Sequence, residues 1–108
     1  MDSSAFETAA DALLAVLLAK IEAALDGTDA DVELRGGILT VEFEDGRQFV
    51  VNKHSPTRQI WTASPIGGAA HYAWDADARV WRSTRSDAVL ESALAADLAV
   101  AAGRPVPL

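Results

Sequence analysis

Four acidic side chains lie close together in the sequence and could bind a cation. They are Asp26, Asp29, Asp31 and Glu33. Carboxylate oxygens are the ligands that hard cations prefer, and these four are close enough in sequence to converge around one turn and strand edge. The spacing is not that of an EF-hand, and no histidine stands nearby to complete a ligand set. A solvated acidic surface without metal is the alternative that the residues alone leave open.

A second group of residues that could have a function centres on Trp61. Side chains alternate along a strand, so Ile60 and Thr62 share one face while Gln59 and Trp61 share the other. Ile60 suits the core better, because a buried Gln59 would need a hydrogen-bond partner. Trp61 then faces outward, where a large aromatic beside an amide is typical of a binding anchor. Coverage of Trp61 by a loop is the open alternative.

No catalytic centre is visible in the sequence. Cysteine is absent, which removes thiolate nucleophiles, thiolate metal ligands and disulfides, and fits a reducing compartment. His54 and His71 are too few and too far apart in sequence to define a catalytic or metal centre. No serine has the histidine or glycine-elbow context that would activate it.

Charge is distributed unevenly along the 108 residues, whose net charge is −7. Residues 1–45 carry eleven acidic and two basic side chains, whereas residues 46–108 carry five acidic and seven basic ones. Such a field repels nucleic acid and anionic lipid and attracts cations and basic protein surfaces. The N-terminus is acidic and no apolar run reaches about 18 residues, so we expect a soluble protein with neither a targeting segment nor a membrane span.

Two helices are predicted at the ends of the chain. Residues 4–26 and residues 87–102 repeat apolar side chains at steps of three and four, which predicts one core-facing stripe on each. We expect Ser3 or Ser4 to cap the first helix and Ser86 to cap the last. Gly27 and Gly103 are expected to end them.

Six short strands are predicted between the helices. They cover residues 31–35, 38–44, 48–52, 59–63, 71–74 and 80–83. Gly36 with Gly37, and Asp45 with Gly46, supply the tight turns of hairpins, and Pro56 interrupts pairing between the third and fourth strands. The inward side chains are expected to include Tyr72, Trp74 and Trp81. Both helical stripes need the same apolar sheet face, so the pattern predicts a two-layer α/β sandwich of the α+β class: helix, about six antiparallel strands, helix, in one domain over residues 1–108.

Several motifs of the sheet region resemble the frataxin family. They are GGILTVEF at 36–43, VVNK at 50–53, P-T-R-Q-I-W at 56–61, S-P at 64–65, Y-A-W at 72–74, and Trp81. The resemblance is to the bacterial frataxin homologues, with the region from the third to the fifth strand close to mitochondrial frataxin. It covers nearly the whole chain and is weakest in the first helix.

The resemblance implies an iron-binding regulator or iron chaperone of iron–sulfur cluster assembly, which docks on the cysteine desulfurase complex and its cluster scaffold protein. It implies that there is no catalytic residue and that iron, as Fe²⁺ or Fe³⁺, binds weakly as a cofactor. The implied iron ligands are Glu7, Asp11, Glu22, Asp26, Asp29, Asp31 and Glu33. The implied partner-binding residues are Asn52, Gln59, Trp61 and His71. The implied location is the bacterial cytoplasm or, for a mature organellar protein, the mitochondrial matrix.

In two respects this sequence departs from the family pattern, and each affects how far the family's iron-binding and partner-binding roles apply to its residues. The first helix carries Ala15, Ala19 and Ala23 where many relatives are more acidic, which reduces its expected iron capacity. His71 stands where mitochondrial relatives tend to carry arginine, and His54 where several carry glutamine.

Two other functions remain open: a ferroxidase that stores or detoxifies iron as an oligomer, and an acidic interaction domain without metal. A monomer with iron-dependent oligomers is expected.

Overall fold

The computed structural model describes all 108 residues. Its first element is helix α1, Ser3–Ala24, which buries a residue at every third or fourth position: Phe6, Ala10, Leu14, Leu17 and Ile21. The N-terminal cap is Asp2, whose carboxylate accepts the backbone N–H of Ala5 at 2.7 Å. The prediction of Ser3 or Ser4 as the cap is therefore wrong by one or two residues, because the Asp2 carboxylate satisfies the free amide.

The six strands form one antiparallel sheet in which each strand pairs with its neighbours in the sequence. They are β1 (Asp31–Arg35), β2 (Ile38–Glu42), β3 (Gln48–His54), β4 (Gln59–Ser64), β5 (Gly68–Asp75) and β6 (Val80–Ser83). A single 3-10 turn, Ser55–Thr57, joins β3 to β4, and Arg58 follows it with a left-handed φ of 53°. The predicted element order and the two-layer α+β architecture are confirmed.

Two strands run at least two residues further than predicted, and β4 runs one residue further, to Ser64. β3 continues two residues past Asn52 to His54, which pairs with Gln59. β5 begins at Gly68 rather than at His71. Its first residues do not alternate between polar and apolar side chains, so periodicity alone does not reveal that they pair with β4.

Helix α2, Leu90–Ala102, starts later than predicted. The prediction of a start at residue 87 with Ser86 as the cap is wrong, because the preceding segment pairs with β6 instead. Val89 forms an isolated bridge with Arg82, and Ser83 N–H donates to the Ala88 carbonyl at 2.8 Å. Gly103 ends the helix in the left-handed conformation, as expected.

The core lies between the two helices and one face of the sheet. All of its buried side chains are hydrophobic, and no polar or charged residue is fully buried. Ile60, Tyr72 and Trp81 point into this layer, as predicted, whereas Trp74 is only partly buried. No helix in the chain has the length and hydropathy needed to cross a bilayer.

Candidate functional site

The sheet face that points away from the helices, called here the outer face, carries all four residues predicted to bind a partner. Trp61 in β4 pairs with Asn52 of β3 on one side and with His71 of β5 on the other. Gln59 precedes Trp61 by two residues and therefore points the same way. Ile60, between them, is fully buried on the opposite face. The structure thus brings the four residues together.

Three parallel rings stand side by side across this face. The His54 and Trp61 ring centroids lie 3.6 Å apart with planes 8° from parallel, and those of Trp61 and His71 lie 4.2 Å apart at 7°. We call His54, Trp61 and His71 the ring stack. Stacked aromatic pairs contribute about 0.5–1.5 kcal/mol each beyond burial, so the stack orders these side chains before any partner arrives.

His54 was missed as a member of this site. The signal was its even spacing from Asn52, which places both side chains on one face if the strand continues. The prediction ended the strand at Asn52, because the polar sequence Lys53-His54-Ser55 lacks the apolar alternation of a strand.

Hydrogen bonds hold two members of the site in position. The Trp61 Nε1–H donates to Gln59 Oε1 at 2.8 Å. His54 Nδ1 lies 2.8 Å from Thr57 Oγ1, in the turn before β4. The indole is partly exposed, and its only polar hydrogen already has a partner inside the protein.

Two of the predicted iron ligands are paired with a lysine. Lys53 Nζ lies 2.6 Å from Glu7 Oε2 and 2.8 Å from Asp11 Oδ1, and Ser55 Oγ donates to Glu7 at 2.6 Å. Hydrogen bonds from Lys53 and Ser55 lower the pKa of the Glu7 carboxyl. Asp11 first, and Glu7 second, raise the pKa of Lys53. A cation at Glu7 and Asp11 would have to compete with this ammonium group.

The other predicted ligands separate into smaller groups. Glu22, Asp26 and Asp31 line one shallow surface pocket of about 240 Å³ after α1. Glu33 is paired with Arg35 at 2.7 Å on the exposed edge of β1. Backbone carbonyls of Ala24 and Asp26 accept from Arg104, which ties this turn to the C-terminal segment.

Asp29 meets an acid that the sequence analysis did not select, Glu44. Both line a neighbouring pocket of about 330 Å³. Asp29 raises the pKa of Glu44, first through a hydrogen bond between the two carboxyl groups and then through their like charge. Glu44 was missed because it was assigned to a longer second strand, whereas β2 ends at Glu42 and leaves Glu44 in the turn.

Together, Glu22, Asp26, Asp29, Asp31, Glu33 and Glu44 are called the acidic edge. Nowhere in the chain do three Asp, Glu or His side chains converge closely enough to enclose a metal ion. Carboxylate oxygens in ones and twos suit a hydrated, weakly held hard cation and not a closed ligand cage.

Comparison with known proteins gives the same family by sequence and by structure. The model of the frataxin-like domain matches residues 1–104. The chain is 39% identical over 111 residues to the iron-sulfur cluster assembly protein CyaY of Dechloromonas aromatica (strain RCB), covering 100% of this chain and 99% of that protein.

Two solved structures extend the likeness to the fold. Frataxin from Psychromonas ingrahamii matches with a TM-score of 0.85 at 29% identity, over 99% of this chain and 97% of that one. A trimeric frataxin from the yeast Saccharomyces cerevisiae, complexed with ferrous, matches with a TM-score of 0.70 at 28% identity, over 96% of this chain and 88% of that one.

Proposed function

This chain belongs to the frataxin-like family, and from that membership we propose that it acts in iron–sulfur cluster assembly as an iron-binding regulator or iron chaperone, without being an enzyme. The observation that carries the proposal is the family match over residues 1–104, together with a relative named as a cluster assembly protein. The proposed partners are the cysteine desulfurase and the cluster scaffold protein. The bacterial relative favours the cytoplasm as the place of action.

The ring stack is the proposed contact surface for the desulfurase complex. A partly exposed tryptophan on an uncovered sheet face is the kind of side chain that dominates binding energy at protein interfaces. Asn52 and Gln59 add amide groups beside it. Flat, preordered surfaces of this kind bind proteins more readily than small molecules, which need a concave pocket.

The acidic edge is the proposed iron surface. The hard oxygen ligands of Asp29 and Glu44 suit Fe²⁺ and Fe³⁺ and tolerate other divalent ions. The hydrogen bond with Asp29 and then the like charge of Asp29 raise the pKa of Glu44, and a bound cation would offset that like charge. Glu7 and Asp11 contribute less, because Lys53 already supplies their counter-charge.

Replacement of Trp61 tests the docking surface. We expect Trp61→Ala to weaken binding to the purified desulfurase–scaffold complex by about 2 kcal/mol, the loss typical of an interface hot spot. The measurements are binding by titration and desulfurase turnover with and without this protein, over a range of iron concentrations. Gln48→Ala is the matched control, since Gln48 lies on the same face at the far end of β3. Unchanged affinity of Trp61→Ala, with the fold intact, would reject the assignment.

Replacement of Glu44 tests the iron surface. Anaerobic calorimetry with Fe²⁺ should show several-fold weaker binding for Glu44→Gln than for the native chain. Asp77→Asn serves as the control, because it removes one acid in the turn between β5 and β6, away from the acidic edge. Binding should also weaken as the pH falls through the pKa of Glu44, which is raised above its ordinary 4.5, because protons compete with the cation for this carboxylate. Equal affinities for both variants would place the iron elsewhere.

An iron-storing ferroxidase is the second candidate function. The specific observation in its favour is the trimeric yeast structure complexed with ferrous. Its chemistry needs several carboxylates at one oxidising site, whereas no three carboxylates of the acidic edge converge closely enough to hold one metal ion. Oxygen consumption on addition of Fe²⁺, which is lost in an Asp29→Asn/Glu44→Gln variant, would favour this function over the regulator.

A further inference from the structure

The two faces of the Trp61 indole are occupied within the protein itself. His54 covers one face from β3 and His71 covers the other from β5. The stacking direction runs across the strands, so the three ring planes stand upright on the sheet and turn their edges to solvent. A partner cannot stack an aromatic ring or a guanidinium group on this indole unless it first displaces a histidine.

The exposed rim of the ring stack favours electron-rich groups. The Trp61 indole carries negative partial charge on its faces and positive partial charge at its edge, and because the two histidines cover its faces, only its edge is presented. The oxygen of the Gln59 amide accepts from Trp61 Nε1, which leaves its nitrogen to donate outward. Asn52, directly opposite Trp61, adds a second amide.

The charged residues around the ring stack also favour a negatively charged group on the partner. Residues 46–74, which include all of β3 and β4, contain no Asp or Glu. Arg58 lies exposed just before β4, and Arg85 lines a small surface pocket with His71. The acid closest to the stack along β5 is Asp75, and its carboxylate is already paired with Arg82 at 2.9 Å.

We propose that the ring stack binds, as one three-ring unit, an acidic segment of the partner protein whose carboxylate and carbonyl oxygens meet the ring edges. This proposal rests on the proposed function and specifies the chemistry of the contact. A basic segment would meet positive edges and two free guanidinium groups, with no indole face open for cation–π contact. Basic regions of the partner belong at the acidic edge instead.

A single isosteric change of charge tests the sign of the contact. Gln59→Glu keeps an oxygen to accept from Trp61 Nε1 and adds one negative charge beside the ring stack. Gln48→Glu makes the same change on the same face, at the end of β3 distant from the stack. We expect Gln59→Glu to weaken binding to the purified desulfurase–scaffold complex roughly five- to tenfold relative to Gln48→Glu, because it places like charges together.

A second variant tests whether the three rings act as a unit. His71→Ala opens one face of the indole, so it should weaken binding several-fold even though more of Trp61 is exposed. Its thermal unfolding midpoint and that of Gln59→Glu report whether the fold is retained. Tighter or unchanged binding by folded Gln59→Glu or by folded His71→Ala would overturn this inference alone. Failure of the native chain to bind the complex would overturn the proposed function and the inference with it.

Discussion

Lys53 decides how much of the negative charge on α1 is free. Its side chain is only 19% exposed, and it neutralises two acids that lie one helical turn apart, Glu7 and Asp11. Lys53, which lies between the two carboxylates, links the start of α1 to the end of β3. At these positions the acids therefore stabilise the fold, and a cation would have to displace Lys53 to bind them.

The pKa of Glu7 gives this role a dependence on pH. Its folded-state pKa is lowered from the ordinary 4.5, so the interaction stabilises the fold above that pH and is lost as the pH falls through the lowered value. Glu7→Gln should therefore lower the thermal unfolding midpoint more at pH 7 than at pH 3. Thermal unfolding followed by circular dichroism at both pH values measures this.

Glu22→Gln is the control for that prediction. Glu22 lies exposed on the same helix and forms no ion pair, so its replacement should not alter the midpoint at either pH. A drop of equal size for Glu7→Gln at pH 3 and at pH 7 would show that the loss comes from packing and not from charge.

Strand alternation in the sequence alone predicts the correct faces for Trp61, Gln59 and Ile60. The partners of Trp61 were not predictable to the same degree. The contact with His54 depends on where β3 ends and on the turn that returns β4, and both are set by pairing between distant residues. The meeting of Asp29 with Glu44 likewise depends on how two turns approach each other in space.

Among the elements, the tight turn from β4 to β5 is tied to α2 by one polar contact. Ser64 Oγ donates to Asp97 Oδ2 at 2.8 Å and accepts the backbone N–H groups of Ile66 and Gly67 at 3.0 Å each. A Cβ at Gly67 would lie 2.5 Å from that same Asp97 oxygen. An alanine at this position would therefore force the Asp97 carboxylate to move.

Gly67→Ala should lower the free energy of unfolding by about 1–2 kcal/mol, because it breaks or shifts the hydrogen bond between Ser64 and Asp97. Urea unfolding measures this loss. In an Asp97→Ala background the same change should cost little, because the clashing oxygen is gone and two mutations at one contact are not additive. An equal cost in both backgrounds would assign the effect to the backbone of the turn.

The sequence predicts the helices and strands whose signals are local, but not the boundaries that depend on pairing with distant residues. The periodicity of α1 and the glycine pairs of the hairpins are local, and the elements that they predict are present in the structure. The start of α2 is not local, because residues 87–89 would continue the helix by spacing but pair with β6 instead. Tertiary pairing overrides helical periodicity at that boundary.

For the whole molecule, the main feature is the separation of charge across the sheet. The acidic edge lies at β1 and the adjoining turns, whereas β3 and β4 carry no acid at all. β2 separates β1 from β3, so the two regions are distinct parts of one surface. A partner that binds both must present a basic region and an acidic region at a matching spacing, and this requirement selects against simple polycations.

This arrangement predicts that the two regions control different rates of docking. Long-range charge raises the rate of association and is screened by salt, whereas short-range contact sets the rate of dissociation. An Asp31→Asn/Glu33→Gln variant should therefore associate several-fold more slowly with the desulfurase–scaffold complex at low salt and dissociate at the native rate. Its difference from the native chain should disappear at about 0.5 M salt, where the Debye length is only a few ångströms.

Trp61→Ala should show the opposite pattern, with faster dissociation and nearly native association at every salt concentration. Surface plasmon resonance over a series of salt concentrations separates the two rates for both variants. If the acidic-edge variant instead dissociates faster at all salt concentrations, those carboxylates contact the partner directly in the bound complex. Charge separation across the sheet would then stabilise the bound complex and not only speed association.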